Sequence, residues 1–503
     1  MNKQQRKRKR WMAIHKWGGL VFAVFILIFC LSGIVLNHRR AVSHIDVSRR
    51  WMPASYRYDN WNNGFIKGTA MLPSGELLAY GNAGIWLTDS AFSRFTPMNE
   101  GIERGIDCRK ISRIVVRPDS SVWCAAQWDV YRLNAQRQWQ RMPIGNGAER
   151  IADIECRADT LVVLSRSHLF VSSGNGAPFV RSELLCPDGF STKVTLFQTV
   201  WKLHSGELFG LPGQIFVDIV ALALAALCIT GVTITLLKPI LRHRSRRQQS
   251  ATAPAGALRL AIRWHNYLGA WLLVFSLMLV LTGACLRPPL MVPLALTSTE
   301  PIPGSTMASS NPFHDRLRAI RWDEHRQAWL LSTTKGFYCM RHLNQQPAAL
   351  KPAPPISPMG INVFELHDST QWLIGSFSGI YVWSIDNATI IDAISGKAVP
   401  SGRGRPVASN AIAGYSPHLG VLFDYAKGAM TPVAPMPLEA QSQPISLWNF
   451  ALELHVGRCY RPFLGPLSEL FVFVAGTLST LILVSGSIIY RRRHRQQNDD
   501  CAG

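Results

Sequence analysis

HKWGGLVFAVFILIFCLSG, residues 15–33, carries no charge after Lys16, and 250 positions further on HNYLGAWLLVFSLMLVLTG, residues 265–283, repeats its plan. In both, a histidine opens an apolar run, a glycine follows four residues later (Gly19, Gly269), and a hydroxyl-glycine pair closes it (Ser32-Gly33, Thr282-Gly283). About 20 apolar residues take a helix across the hydrocarbon core of a bilayer, and only helices or closed barrels satisfy their own backbone there. Four runs meet that length: 18–36, 215–237, 269–286 and 467–490. The first reads as a retained helix rather than a signal peptide, because Asn37, His38, Arg39 and Arg40 follow it without a small-residue cleavage site. The sequence therefore predicts an α-helical membrane protein whose four-helix transmembrane bundle is built from two helix–domain–helix repeats.

The formal charge of +22 raises the question of nucleic acid, but the basic residues gather beside the apolar runs instead of interleaving with aromatics on one face. Lys3, Arg6, Lys7, Arg8, Lys9 and Arg10 precede the first run. Lys238, Arg242, Arg244, Arg246 and Arg247 lie between the second and third, and Arg491, Arg492, Arg493 and Arg495 follow the fourth. By the positive-inside rule all three groups are cytoplasmic, so the protein is multi-pass in a bacterial inner membrane, with lipid as a partner and both termini inside. The expected organisation is a basic N-terminus (1–14), a first helix (15–38), a periplasmic β domain (39–201) and a second helix with its flank (202–237). A cytoplasmic linker (238–262), a third helix (263–287), a second periplasmic β domain (288–451), a fourth helix with its flank (452–490) and a tail (491–503) complete it. Cys108, Cys124, Cys156, Cys186, Cys339 and Cys459 fall on the outer side, where disulfides form, although free buried thiols are an equally simple reading. Cys501, in the polar tail, reads as a free cytoplasmic thiol.

The long loops carry a second, shorter period. WLLSTTKGFYCM from Trp329 returns 43 residues later as WLIGSFSGIYVW from Trp372, matching Gly336 to Gly379 and Tyr338 to Tyr381. LLAYGNAGIWL at Leu77, WCAAQWDVY at Trp123 and LVVLSRSHLFV at Leu161 are weaker copies, and 415–423 is a sixth. Each is an apolar strand, a turn and a second strand, the pattern of propeller blades, so the outer domains are expected to be all-β and propeller-like. Three copies per loop are too few to close a ring, which predicts that the two loops combine. Two separate sandwiches are the alternative.

Histidines recur at the ends of the runs. His15 and His265 open the first and third, and LFQTVWKLHSG and LWNFALELHVG place His204 opposite His455 ahead of the second and fourth. Thr230-Gly231 and Ser485-Gly486 repeat near the inner ends of the second and fourth runs, where small residues let helices or a flat cofactor approach the backbone. Two halves that keep histidines at matched places predict paired imidazoles on facing helices, His15 with His265 inside and His204 with His455 outside. Two imidazoles suit the axial positions of a porphyrin better than structural zinc, which takes four protein ligands. With no Cys-x-x-Cys-His, the expected cofactor is haem b, two per chain. Lys16, Arg263, Arg39, Arg40 and Arg458 stand near enough to meet propionates, or to snorkel as interfacial residues do. His38 has no twin, since Pro288 occupies its place in the second half; it remains a further candidate iron ligand or an interfacial hydrogen-bonding group.

The pattern from His15-Lys16-Trp17-Gly18-Gly19 through Ser32-Gly33 to Asn37-His38, with Leu203-His204-x-Gly206 and Leu454-His455-x-Gly457, resembles the PepSY-associated transmembrane family. That resemblance covers the helices and their flanks and implies an iron-regulated bacterial membrane protein linked to siderophore uptake. Some members look like haem-bearing reductases of periplasmic ferric siderophores, and this implied role falls on His15, His38, His204, His265 and His455. The loops depart from the family, with propeller-like repeats where a PepSY domain would stand.

The expected function is haem-dependent electron transfer across the membrane to a ferric siderophore or other periplasmic iron complex. No Gly-x-Gly-x-x-Gly follows a strand and no P-loop occurs, so the electron donor is a separate quinol or cytoplasmic flavoprotein. The alternative is a membrane-anchored sensor or docking scaffold without a cofactor. A transporter is a third reading, for which Glu469 is the one acidic candidate noted in the helices.

Overall fold

The computed structural model describes residues 3–145, 149–174, 177–402, 404–405 and 407–502. Side chains at 3–5, 8 and 493–502 are not described, which leaves those of Lys3, Arg8, Arg493, Arg495 and Cys501 outside the described part of the molecule. The chain forms two compact units, one of residues 1–42, 192–308 and 448–503 and the other of 43–191 and 309–447.

In the first unit, helix α1 (Lys3–Ala13) runs through a π turn (Ile14–Gly18) into α2 (Gly19–Asn37). A short α3 (Leu196–Ser205) precedes the long α4 (Gly210–Arg246). Then follow α5 (Thr252–Trp271), α6 (Leu273–Cys285), the short α7 (Leu447–His455) and α8 (Ser468–Ala502). Three helical stretches among the described residues are long and apolar enough to cross a membrane: Lys9–Asn37, Glu207–Arg246 and Arg458–Arg492. The third apolar run of the sequence is bent by 70° between α5 and α6, and counts as a fourth span only if the pair is taken together. A chain with such helices is a membrane protein.

Short helices α3 and α7 enter alike. Thr195 caps α3 through a reciprocal capping box with Gln198. Val194–Thr195 pairs with Ser298–Thr299, which follows α6, just as Ile445–Ser446 ahead of α7 pairs with Asp46–Val47, which follows α2. Each half thus lends a strand to the entry of the other half's short helix.

The second unit is all-β, with no closed barrel among the described residues. Its main body is six antiparallel meander sheets: sheet 1 (68–97), sheet 2 (111–142), sheet 3 (151–182), sheet 4 (317–349), sheet 5 (361–392) and sheet 6 (412–429). Five have four strands and sheet 6 has three. Apolar clusters join neighbours around a cycle. Ile85 and Ile111 link sheets 1 and 2, Trp123 and Ile154 link 2 and 3, and Leu164 and Trp329 link 3 and 4. Leu330 and Ile374 link 4 and 5, Val363 and Ile412 link 5 and 6, and Trp86 with Phe423 returns from 1 to 6. Three sheets come from each long loop, so neither loop has a complete core of its own.

Five of the sequence repeats are the second and third strands of their sheets, Trp329 and Trp372 standing one residue inside the second strands of sheets 4 and 5. The sixth differs in register, since 415–423 spans the first and second strands of sheet 6. A bulge fixes that register: the first strands of sheets 2 to 6 all slip at the same place, between Ile111/Arg113, Ile151/Asp153, Leu317/Ala319, Ile361/Val363 and Ile412/Gly414.

First strands are also where charge is buried. Arg113 of sheet 2 pairs with Glu155 of sheet 3 and with Glu365 of sheet 5, and Arg321 of sheet 4 pairs with Asp153 of sheet 3. Sheets 2 and 5 are opposite in the cycle, so a contact between them puts the first strands innermost. Burial opposes the charge on Arg113, but Glu365 and Glu155 outweigh it and hold the guanidinium well above its ordinary pKa. Cys124, Cys156, Cys186, Cys339 and Cys459 are free thiols.

Candidate functional site

Four histidines of the helical unit share one local arrangement. On the helix facing each histidine stand a backbone carbonyl at position i, a hydroxyl at i+3 and a glycine at i+4. His15 Nδ1 lies 3.0 Å from the Ile482 carbonyl and 3.2 Å from Ser485 Oγ, beside Gly486. His204 Nδ1 lies 3.1 Å from both the Leu279 carbonyl and Thr282 Oγ1, beside Gly283. His265 Nδ1 is 3.0 Å from Thr230 Oγ1, with the Leu227 carbonyl as its second partner and Gly231 alongside. His455 Nδ1 is 2.9 Å from Ser32 Oγ, with the Phe29 carbonyl and Gly33.

The hydroxyls fix the tautomer. Each one donates back to its own helix, Ser32 to Ile28 at 2.6 Å, Thr230 to Ala226 and Thr282 to Met278 at 2.7 Å, and Ser485 to Ile482 at 2.7 Å. With their protons committed, the hydroxyl oxygens and the carbonyls can only accept, so the imidazoles donate from Nδ1–H. That leaves Nε2 with its lone pair, the form in which histidine binds a metal while a second group orients the ring. The glycines make room. A Cβ at Gly283 or Gly486 would come within 2.9 Å of the His204 or His15 Cε1, and at Gly33 or Gly231 within 3.3 Å of the His455 or His265 Cε1.

So held, the rings meet in twos. His15 and His265 have ring centroids 5.9 Å apart, and His204 and His455 6.1 Å apart. A histidine nitrogen binds a first-row metal at about 2 Å, which sets two imidazoles sharing one metal at ring centres about 6 Å apart. The donor set fits a haem iron, for which the porphyrin supplies the other four nitrogens. Among the described residues no group of three or more His, Cys, Asp or Glu is arranged to hold a metal ion by itself.

His38 stands apart from both pairs. Its Nε2 lies 2.6 Å from Asp218 Oδ2, and Asn37 donates to Asp218 Oδ1 at 3.0 Å. The matched place in the second half holds an ion pair, Arg287 with Glu469 at 2.6 Å, so Glu469 has a structural partner. Asp218 was missed in the sequence although it lies inside the apolar run 215–237, where a lone carboxylate is itself a signal. Of the cations near the histidines, Arg39 stacks 3.9 Å over Trp448, Lys16 stands 4.7 Å over Trp17, and Arg458 Nε donates to Glu453 at 2.8 Å.

Arg458–Glu453 has a counterpart that sequence reading also missed. Lys202 Nζ donates to Glu207 at 2.9 Å, five residues on, as Glu453 and Arg458 are five apart. Both pairs bridge the turn after a site histidine, where Gly206 (φ 77°) and Gly457 (φ 78°) adopt the left-handed conformation that ends the helix. The two bridges are reversed in sign: the buried member is Lys202 in one half and Glu453 in the other.

Among solved structures, the extracellular domain of a one-component system from B. thetaiotaomicron is 10% identical with a TM-score of 0.34, over 77% of this chain and 42% of that one. The extracellular domain of a hybrid two-component system from the same organism is 8% identical with a TM-score of 0.32, over 73% and 38%. PorZ, a surface component of the type-IX secretion system of Porphyromonas gingivalis, is 12% identical with a TM-score of 0.26, over 72% and 31%. The chain thus spans less than half the length of these structures. No curated protein matches it. A family model for the PepSY-associated TM region matches residues 1–238 and again 234–493, once over each half. The chain belongs to the PepSY-associated TM region family.

Proposed function

We propose that the protein carries electrons across the bacterial inner membrane and reduces a ferric complex of the siderophore type in the periplasm. The observation behind this reading is the fourfold repeat of histidine, hydroxyl and glycine that leaves two pairs of imidazoles with Nε2 free. Two b-type haems, one between His15 and His265 and one between His204 and His455, would supply one-electron redox chemistry at the two levels. The chain's own part is to fix each ring by Nδ1, to clear space with glycine, and to set the two levels apart. His15 and Ser32, which holds His455, are 17 residues apart along one continuous helical stretch. At helical rise that is about 25 Å, most of a hydrocarbon core of roughly 30 Å. Hard oxygen ligands favour Fe(III), so one electron is enough to loosen a ferric chelate, and no acid, base or nucleophile is required of the protein. His38, tied to Asp218, serves as an outer-level link between helices.

In this reading the bent α5–α6 pair is the fourth crossing, the termini are cytoplasmic, and the six sheets form one periplasmic propeller that docks the iron complex. The donor is a quinol or a cytoplasmic flavoprotein. A second reading, a sensor or docking scaffold anchored by the bundle, draws on the size of the β unit and requires no pigment.

Optical spectra of the detergent-purified chain, oxidised and dithionite-reduced, with a pyridine haemochrome count, separate the two. About two haems per chain are expected, with His204→Ala and His265→Ala each removing one. A colourless protein after haem-replete expression overturns the electron path and leaves the sensor.

A further inference from the structure

The seam between sheets 3 and 4 opens into a cleft of about 420 Å³. Val171 and Leu343 are among its apolar lining residues, with the buried Trp329 behind them at 2% exposure. Trp329 packs edge-on against Trp322 at 5.2 Å, and Arg157 lies 3.6 Å over the Trp322 ring. Arg157, Arg181 and Arg341 all line the cleft, and among the described residues no acidic one does.

Arginines elsewhere in this unit meet carboxylates, Arg321 with Asp153, Arg326 with Asp323 and Arg166 with Asp315. Three guanidiniums around one concavity without a carboxylate in its wall repel one another, and only water and salt screen them. An anion of matching size relieves that repulsion, and the guanidinium fork suits carboxylates and similar oxyanions. The volume falls in the range of small-ligand sites, about 300–1,000 Å³.

We infer that this cleft binds a small polyanion bearing two or more carboxylate-like groups. The site belongs to the β unit alone and stands whether or not the helical unit carries a porphyrin.

The test uses the full chain in detergent and benzene-1,3,5-tricarboxylate as the probe, followed by titration calorimetry. Saturable binding at one site is expected, weakening as salt rises and about tenfold weaker in each of Arg181→Gln and Arg341→Gln, the worth of one charge-assisted contact. Propane-1,2,3-tricarboxylate, with the same charge and no ring, should bind as well, and uncharged benzamide not at all. Absence of saturable binding, or unchanged affinity in an Arg181→Gln/Arg341→Gln double variant that unfolds at the parent's temperature, overturns the site. Equal affinity for benzamide and the tricarboxylates overturns the anionic ligand.

Discussion

His204 shows what a single ring needs in order to be held. Its Nδ1 donates to a carbonyl and a hydroxyl on one turn of α6, and its Cε1 lies where a side chain at Gly283 would be. Gly283→Ala should push the ring aside, because a Cβ at 2.9 Å from Cε1 cannot be accommodated without a shift. In the proposed function this removes the outer pigment, read as the loss of one of two haem equivalents with far-ultraviolet circular dichroism unchanged. Thr282→Val keeps the carbonyl and takes away the hydroxyl. It should weaken haem retention by about tenfold, as loss of one orienting partner of a metal-bound histidine does, and Thr282→Ser should restore it; haem transfer to an excess of scavenging apoprotein gives the rates. The histidines and the hydroxyl-glycine pairs were both legible in the sequence, because both repeat. That each pair seats a histidine of the opposite half was not, since periodicity marks which residues recur and says nothing of which ones touch. Asp218 escaped for a different reason: an apolar run of that length is recognised by its average, and one carboxylate barely alters it.

Among elements, the short helices α3 and α7 are the ones whose ends matter most, since His204 and His455 sit in their last turns. Each end is tied across the following glycine by an ion pair, Lys202–Glu207 or Glu453–Arg458. Lys202→Glu should place two carboxylates across the turn and loosen His204, whereas the double variant Lys202→Glu/Glu207→Lys should recover the parent behaviour. In the proposed function the readouts are thermal release of the outer pigment, easier in both Lys202→Glu and Glu207→Lys, and its midpoint potential, lowered in the first and raised in the second, with the double variant close to the parent in both. The hairpins of sheets 1 to 5 were legible because their second and third strands are apolar runs parted by turn residues. Their first strands were not. Arg113, Asp153, Glu155, Arg321 and Glu365 break the apolar alternation there, and only the meeting of four sheets at one place makes those charges compatible with burial. The sixth copy was misaligned for the same reason, its first strand being the apolar one that the eye takes for a second.

For the molecule as a whole, neither long loop is self-sufficient: sheet 1 of the first loop packs on sheet 6 of the second, and sheet 3 of the first on sheet 4 of the second. The charges on the innermost strands tie the two sets together, Arg321 of the second loop with Asp153 of the first and Arg113 of the first with Glu365 of the second. Arg321→Met should therefore destabilise the β unit by about 3–5 kcal/mol, as loss of one member of a buried ion pair does. Denaturant unfolding followed by tryptophan fluorescence should report this, and in the proposed function the haem spectrum stays intact. The combination of loops was expected from the count of repeats, but the ionic centre had no trace in a pattern built on apolar residues. The sign reversal between Lys202–Glu207 and Glu453–Arg458 reaches further, into inheritance. Two similar gene segments in tandem invite unequal crossing-over, and an exchange whose breakpoint falls between the members of these pairs yields Lys202 facing Arg458, or Glu453 facing Glu207. Every hybrid joined inside that five-residue window carries like charges across the turn behind a histidine, so the two turns are not interchangeable as building blocks.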